Sequence, residues 1–214
     1  MPVFKLTKGS YLFPPSALAD FDGLLAYGGD LCVERLLSAY SNGIFPWYNP
    51  GEEILWWCPR ERFVIFPKEI HVSRSMKKNI NKANLQIKIN TDFSQIMNNC
   101  RKLREGSTWI SDEMEAAYNA LFNEGYVMCV GVYENDVLVG GLYGVVIGKC
   151  FFGESMFSHA ANASKIALIH LCEILSEKNF AFIDCQFHTP HLQTMGGRYI
   201  SWSEYHRLLR EGIS

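Results

Sequence analysis

Residues 126 to 157 read YVMCVGVYENDVLVGGLYGVVIGKCFFGESMF, and no other stretch of the chain constrains the architecture as tightly. β-branched and aromatic residues dominate it, with turn signals at Glu134-Asn135-Asp136 and at Gly148. It therefore reads as three strands, Tyr126 to Tyr133, Val137 to Ile147 and Cys150 to Phe157, joined as an antiparallel meander. Upstream, Ser111 with Asp112 and Glu113 reads as a capped helix start; Met114, Tyr118 and Leu121 recur at i, i+4 and i+7, and Gly125 closes the helix. Downstream come a helix from about Asn162 to Ser176, apolar on most sides, a strand from Phe180 to Gln186, and a final helix near Ser203 to Arg210. The order predicts an α+β fold in which one strand rejoins the sheet after a helix.

The first sixty residues are different, rich in turn signals and aromatics: Phe13-Pro14-Pro15, Gly28-Gly29-Asp30, Gly43 to Tyr48, Trp56-Trp57. One short helix is expected there, with Asp30 as N-cap, Leu36, Leu37 and Tyr40 along it, and its end at Asn42-Gly43. With 214 residues, 48% of them hydrophobic, the chain can bury a sizeable core, which excludes disorder. No run approaches the roughly 18 apolar residues that cross a bilayer, and Met1-Pro2-Val3-Phe4-Lys5 does not open a signal peptide, so a cytoplasmic location is expected. Seven cysteines (Cys32, Cys58, Cys100, Cys129, Cys150, Cys172 and Cys185) without a Cys-x-x-Cys pair speak against a disulfide framework and a zinc ribbon. Net charge is −2, yet residues 60 to 88 hold eight Lys or Arg (Arg60, Arg62, Lys68, Arg74, Lys77, Lys78, Lys82, Lys88) against Glu61 and Glu69. That segment is either a solvated surface or the footprint of a polyanion.

Within the strand Phe182 to Gln186, alternation puts Asp184 and Gln186 on one face and Ile183 and Cys185 on the other. A carboxylate beside an amide is either a structural hydrogen-bond pair or a polar site, and Cys185, turned to the core, is a poor nucleophile for His188 or His191 to assist. Glu154 is a lone acid in an apolar strand and must reach solvent, a partner or a ligand. His188-x-x-His191 has metal-like spacing, but Pro190 breaks the helix that would align the rings and no third ligand is placed beside them. Phosphate-cradling glycine motifs are absent. Trp47 and Trp109, beside turn or helix-start residues, read either as lids on the core or, next to a basic segment, as platforms for an adenine.

Taken together, the motifs resemble the leucyl/phenylalanyl-tRNA-protein transferase family, nearly end to end. The resembling stretches are Gly23-Leu24-Leu25-Ala26, Gly28-Gly29-Asp30-Leu31, Gly43-Ile44-Phe45-Pro46-Trp47-Tyr48, Ile54-Leu55-Trp56-Trp57 and His71-Val72-Ser73-Arg74-Ser75-Met76-Lys77. They continue with Thr108-Trp109-Ile110, Leu138 to Gly144, Gly153 to Ser158, Asn162-Ala163-Ser164-Lys165 and Ile183-Asp184-Cys185-Gln186. The resemblance implies a small N-terminal domain, residues 1 to 62, and an N-acetyltransferase-like domain of the acyl-CoA N-acyltransferase type, residues 63 to 214, with a mixed sheet flanked by helices. It implies transfer of Leu, Phe or Met from aminoacyl-tRNA to proteins beginning with Arg or Lys, marking them for degradation, with no metal or cofactor.

Carried over residue by residue, Trp47 and Trp109 resemble the pair that holds the terminal adenosine, and Leu142, Phe151 and Met156 line the amino-acid pocket. Arg74, Lys77 and Lys78 match the basic cluster under the tRNA acceptor stem. Glu154, Asp184 and Gln186 match the polar groups around the reacting ester, with Gln186 orienting the amine and Asp184 fixing Gln186 or assisting proton removal. Four positions depart from the family pattern: Met128 and Gly131 where a His and a Glu are common, Cys58 where a Ser is usual, and Trp202 where an Arg is expected. The first two point to an altered acceptor side. The rival readings are an acyl-CoA-dependent N-acyltransferase, disfavoured because Ser155 to Lys165 holds no glycine for a pyrophosphate loop, and a non-catalytic RNA-binding module.

Overall fold

The strand-forming residues gather into two sheets. A computed structural model describes residues 3–82, 85–103 and 110–214. The first sheet is made of β1 (Phe4–Leu6), β2 (Leu24–Gly28), β3 (Phe45–Pro46) and β4 (Leu55–Trp57), in the order β1-β2-β4-β3, with α1 (Val33–Ser41) between β2 and β3. The second contains β5 (Glu61–Ile65), β6 (Leu85–Ile89), β7 (Val127–Glu134), β8 (Val137–Ile147), β9 (Cys150–Ser158), β10 (Phe182–Asp184) and β11 (Arg198–Ser201). Its order is β11-β5-β10-β9-β8-β7-β6. The remaining helices are α2 (Arg74–Lys82), α3 (Phe93–Lys102), α4 (Asp112–Asn123), α5 (Ala163–Glu177), α6 (Pro190–Thr194) and α7 (Trp202–Ile213).

The expected meander is present as β7, β8 and β9, paired antiparallel throughout. α5 then carries the chain across the sheet to β10, which lies parallel to β9; a parallel neighbour needs such a crossover. The fold is α+β with a mixed sheet, as expected. Alternation along β7 explains how the sheet is covered on both sides: Val127, Cys129 and Tyr133 join one apolar cluster with α1, α3, α4 and the first sheet, while Met128, Val130 and Val132 join another with α5. α5 approaches closely because Gly140 lacks a side chain; a Cβ there would lie 2.4 Å from that of Ala163. The Ser111 hydroxyl accepts from the Met114 N–H (3.1 Å), a cap contributing about 1 kcal/mol to the start of α4.

Three expectations need correction. Asp30 does not cap α1: the N-cap is Cys32, and the Asp30 carboxylate instead accepts from the Cys32 N–H and the buried Arg35. The strand expected over Phe180 to Gln186 is only Phe182–Asp184, because Gln186 takes a left-handed backbone (φ +55°) that no strand continues through. Among the first sixty residues a four-stranded sheet accompanies the one expected helix. Its strands end at Trp57, and β5 of the second sheet begins at Glu61.

Candidate functional site

β9 and β10 pair only from Phe182 opposite Cys150 to Asp184 opposite Phe152; beyond that β10 ends and β9 runs on to Ser158. A cavity of about 740 Å³, within the range of small-ligand sites, is lined by residues flanking this parting. Leu142, Phe151 and Met156 line it, joined by Leu168, Leu171 and Ile183. Trp47, which also lines the cavity, is 46% exposed and packs edge-on against Trp57 and tilted against Phe187. Trp109 lies outside the described residues.

Glu154 enters this cavity through an irregularity. Tyr143 of β8 faces Ser155 and Gly144 faces Gly153, so Glu154 is an extra residue, a bulge, and bulges re-aim side chains out of the regular alternation. Its carboxyl is held by two phenols. The Tyr40 hydroxyl lies 2.6 Å from Oε1 and the Tyr118 hydroxyl 3.0 Å from Oε2, with the two hydroxyls 2.5 Å apart. Both tyrosines are fully buried behind the acid, Tyr40 from α1 and Tyr118 from α4. Burial pushes the Glu154 carboxyl up to about 8; the two tyrosine hydrogen bonds oppose the rise and the charge of Asp184 adds to it. The tyrosines are raised well above the ordinary phenol range by the same burial and by the neighbouring carboxylate.

Asp184 is 1% exposed and does not line the cavity. Its Oδ2 accepts from the Tyr205 hydroxyl (2.7 Å) and lies 3.4 Å from Nε of the equally buried Arg62. Arg62 also donates to the Gly43 carbonyl and packs over the rings of Phe45 and Tyr205. Burial opposes the Arg62 charge, and the Asp184 carboxylate more than offsets this, holding the guanidinium above its usual range. The other oxygen of Asp184, Oδ1, accepts from the backbone N–H of Gln186 (2.8 Å). The carboxylate thus ties down the left-handed turn in which the Gln186 carbonyl also accepts from the Phe63 N–H.

The expected shared face of Asp184 and Gln186 is therefore corrected. Alternation stops at Asp184, and the turn brings both Gln186 and Cys185 to the cavity while Asp184 stays behind. Cys185 does not point away from the site, but burial and the charge of Asp184 push its thiol well up, which leaves it no thiolate to act with. His188 turns to Gln193 and the Phe63 ring, and only His191 lines the cavity.

Arg74, Lys77 and Lys78 are exposed on α2, whose Met76 and Ile80 pack against the second apolar cluster. None of the three lines the cavity. The same is true of the four departures. Met128 and Gly131 lie on β7, away from the cavity lining, and Cys58 and Trp202 meet at His206, 3.9 Å from Sγ and 4.2 Å between rings. Tyr40, Tyr118, Arg62 and Tyr205 are the residues that sequence reasoning missed as parts of this site. The first two show only as apolar positions of helices, Arg62 only as one more surface cation, and Tyr205 as nothing in particular.

Comparison with known proteins agrees with the motifs. Residues 64–210 match the family model described as leucyl/phenylalanyl-tRNA protein transferase, and residues 29–60 match that of its N-terminal domain. A leucyl/phenylalanyl-tRNA--protein transferase of Syntrophus aciditrophicus (strain SB) is 49% identical over 217 residues, covering 100% of this chain and 90% of its own. The protein of that name from Nitrosomonas europaea is 50% identical over 203 residues, 93% of this chain and 86% of its own. Among solved structures, an aminoglycoside acetyltransferase from an uncultured soil metagenomic sample overlaps 47% of this chain and 76% of its own at 15% identity, with a TM-score of 0.33. With family models spanning most of the chain and relatives half-identical along its length, this chain belongs to the leucyl/phenylalanyl-tRNA-protein transferase family.

Proposed function

We propose that this chain moves leucine or phenylalanine, and methionine as a third donor, from tRNA onto the N-terminal Arg or Lys of a protein, marking it for degradation in the cytoplasm. The observation that carries this reading is the cavity itself: a pocket walled by the apolar Leu142, Phe151, Met156, Leu168 and Leu171, with Gln186 and Glu154 also lining it. Aminolysis of an ester asks for little beyond alignment, since the ester is already activated and the amine needs only to be neutral and aimed. In this reading Gln186 accepts a hydrogen bond from the incoming amine. Asp184, which does not reach the cavity, is a positioning residue: its bond to the Gln186 backbone and its pairing with Arg62 hold the turn. Trp47 and Trp109 take the terminal adenosine, Leu142, Phe151 and Met156 surround the amino-acid side chain, and Arg74, Lys77 and Lys78 on the exposed face of α2 meet acceptor-stem phosphates. The chain works as two parts divided near residue 62. No metal or cofactor enters the reaction.

The test is transfer of labelled leucine from its tRNA to peptides beginning with Arg, Lys or Ala. Label on the first two and not the third is the expected result. Binding of the tRNA without any transfer would instead identify an RNA-binding module.

A further inference from the structure

Tyr40, Tyr118 and Glu154 make three oxygen-to-oxygen contacts among three groups. A hydrogen bond needs one proton per contact. If Glu154 is ionised, the two phenols supply only two protons, and one contact is left without a bridging hydrogen. If Glu154 is protonated, three protons serve three contacts in a closed ring, each oxygen donating to the next and accepting from the last. The 2.5 Å separation of the two phenol oxygens, both fully buried, calls for a hydrogen between them, and the closed ring provides it without leaving either carboxyl oxygen unbonded.

We propose that this ring stores a proton on Glu154, and that Glu154 gives it to the leaving ribose oxygen and recovers it from the attacking amine. This deepens the aminoacyl-transfer reading of the cavity and rests on it. The neutral amine attacks the ester carbonyl and a C–N bond forms. As the C–O bond to the ribose breaks, the Glu154 proton passes to the departing oxygen; the carboxylate so formed takes the proton that the new amide nitrogen must lose. One proton is given and one regained, so the ring begins and ends neutral and no other reactant is needed. Glu154 is then the catalytic residue, and Tyr40 and Tyr118, which do not line the cavity, are positioning residues. Among the described residues, the groups against the acid are the hydroxyls of Tyr40 from α1 and Tyr118 from α4, whose hydrogen bonds favour its charge without supplying a cation, Tyr143 of β8 against the Tyr118 ring, and Asp184 from β10, whose charge disfavours it and whose own cation is Arg62.

Two measurements test this separately. In the empty enzyme labelled at the glutamate δ-carbons, the signal that disappears in Glu154→Gln should be that of a protonated acid at pH 7 and titrate near pH 8. A carboxylate signal at pH 7 overturns the ring whatever the enzyme catalyses. On pre-bound Leu-tRNA, the single-turnover rate should fall on the alkaline side with the same inflection. Glu154→Gln closes the same ring with an amide N–H but has no proton to give, so it should fold and lose about a hundredfold or more of the rate, together with that inflection. A folded Glu154→Gln enzyme with full transfer rate overturns the proton role and leaves aminoacyl transfer standing. The double variant Tyr40→Phe/Tyr118→Phe strips both donors from the buried carboxylate and should move the inflection to higher pH. An unmoved inflection makes the tyrosines mere packing and overturns their part in the ring.

Discussion

Glu154 on β9 and Asp184 on β10 stand on neighbouring strands, and the protein treats the two acids in opposite ways. Asp184 is enclosed with a guanidinium, a phenol and a backbone N–H, each within reach of its carboxyl oxygens. Glu154 is enclosed with two phenols and, among the described residues, pairs with no cation, and burial pushes its proton affinity up. What differs most is the partner each acid meets, and that difference divides the labour: a charge-paired acid that braces a turn beside a movable proton that faces the cavity.

The sharpest way to break the contrast is to take the cation from Asp184. Arg62→Met leaves a carboxylate buried at 1% exposure with no opposite charge, and the Gly43 carbonyl loses its donor. Destabilisation of about 3–5 kcal/mol is expected, read from the denaturant midpoint at constant slope. Adding Asp184→Asn should recover part of that loss, since the uncompensated charge is then gone. If the double variant is less stable than Arg62→Met by the full cost of a second independent defect, the pair is not a unit and the contrast between the two acids fails on the Asp184 side.

On the Glu154 side the contrast predicts a pH dependence. An unfolded chain releases this proton near the ordinary glutamate value, whereas the folded one keeps it to about pH 8. Across the interval from 4.5 to 8 the folded state binds more protons than the unfolded state, so this residue's contribution to stability falls as pH rises and is level above the window. Glu154→Gln, which cannot ionise, removes that fall: matched to the wild type near pH 4, it should be the more stable by roughly 2–4 kcal/mol at pH 8.5. His206, held low at about 4 by burial and by the nearby Arg62 and Arg210, works in the reverse direction on acidification in both proteins and cancels in the difference. A stability difference that does not change with pH would mean that Glu154 is not held protonated.

These two acids also mark where sequence reading stops. The meander was legible to within a residue at each strand end, because buried alternation and turn residues repeat along β7, β8 and β9. The first sheet was not, since a strand as short as Phe45–Pro46 exists only by virtue of the partner it pairs with. At the site, Leu142, Phe151 and Met156 were legible through family resemblance and do line the cavity. Glu154 was legible as an acid out of place, but the bulge that turns it toward Tyr40 and Tyr118 has no periodic signature. Asp184 and Gln186 were misread as sharing a face because alternation was carried two residues past the end of β10.

The smallest change in stability is expected at Gln186, where the purpose of the braced charge can be isolated. Its left-handed backbone costs a side-chain-bearing residue about 1–2 kcal/mol, which the bonds of its N–H to Asp184 and of its carbonyl to Phe63 must hold in place. Glycine adopts that conformation freely but loses more freedom on folding, so Gln186→Gly should fall between no change and about 1 kcal/mol of added stability. The backbone bond from Asp184 survives the substitution, and with it the turn. What is lost is the amide at the cavity wall. If the turn exists to present that amide, the variant should bind Leu-tRNA as before while its single-turnover rate drops about a hundredfold, the scale on which misplaced reacting groups are felt. Retained rate would mean that Asp184 braces the turn for the sake of the fold alone. A loss of stability beyond about 1 kcal/mol would mean instead that the Gln186 side chain is itself part of the brace, and the division between a fixed charge and a working proton would have to be drawn elsewhere.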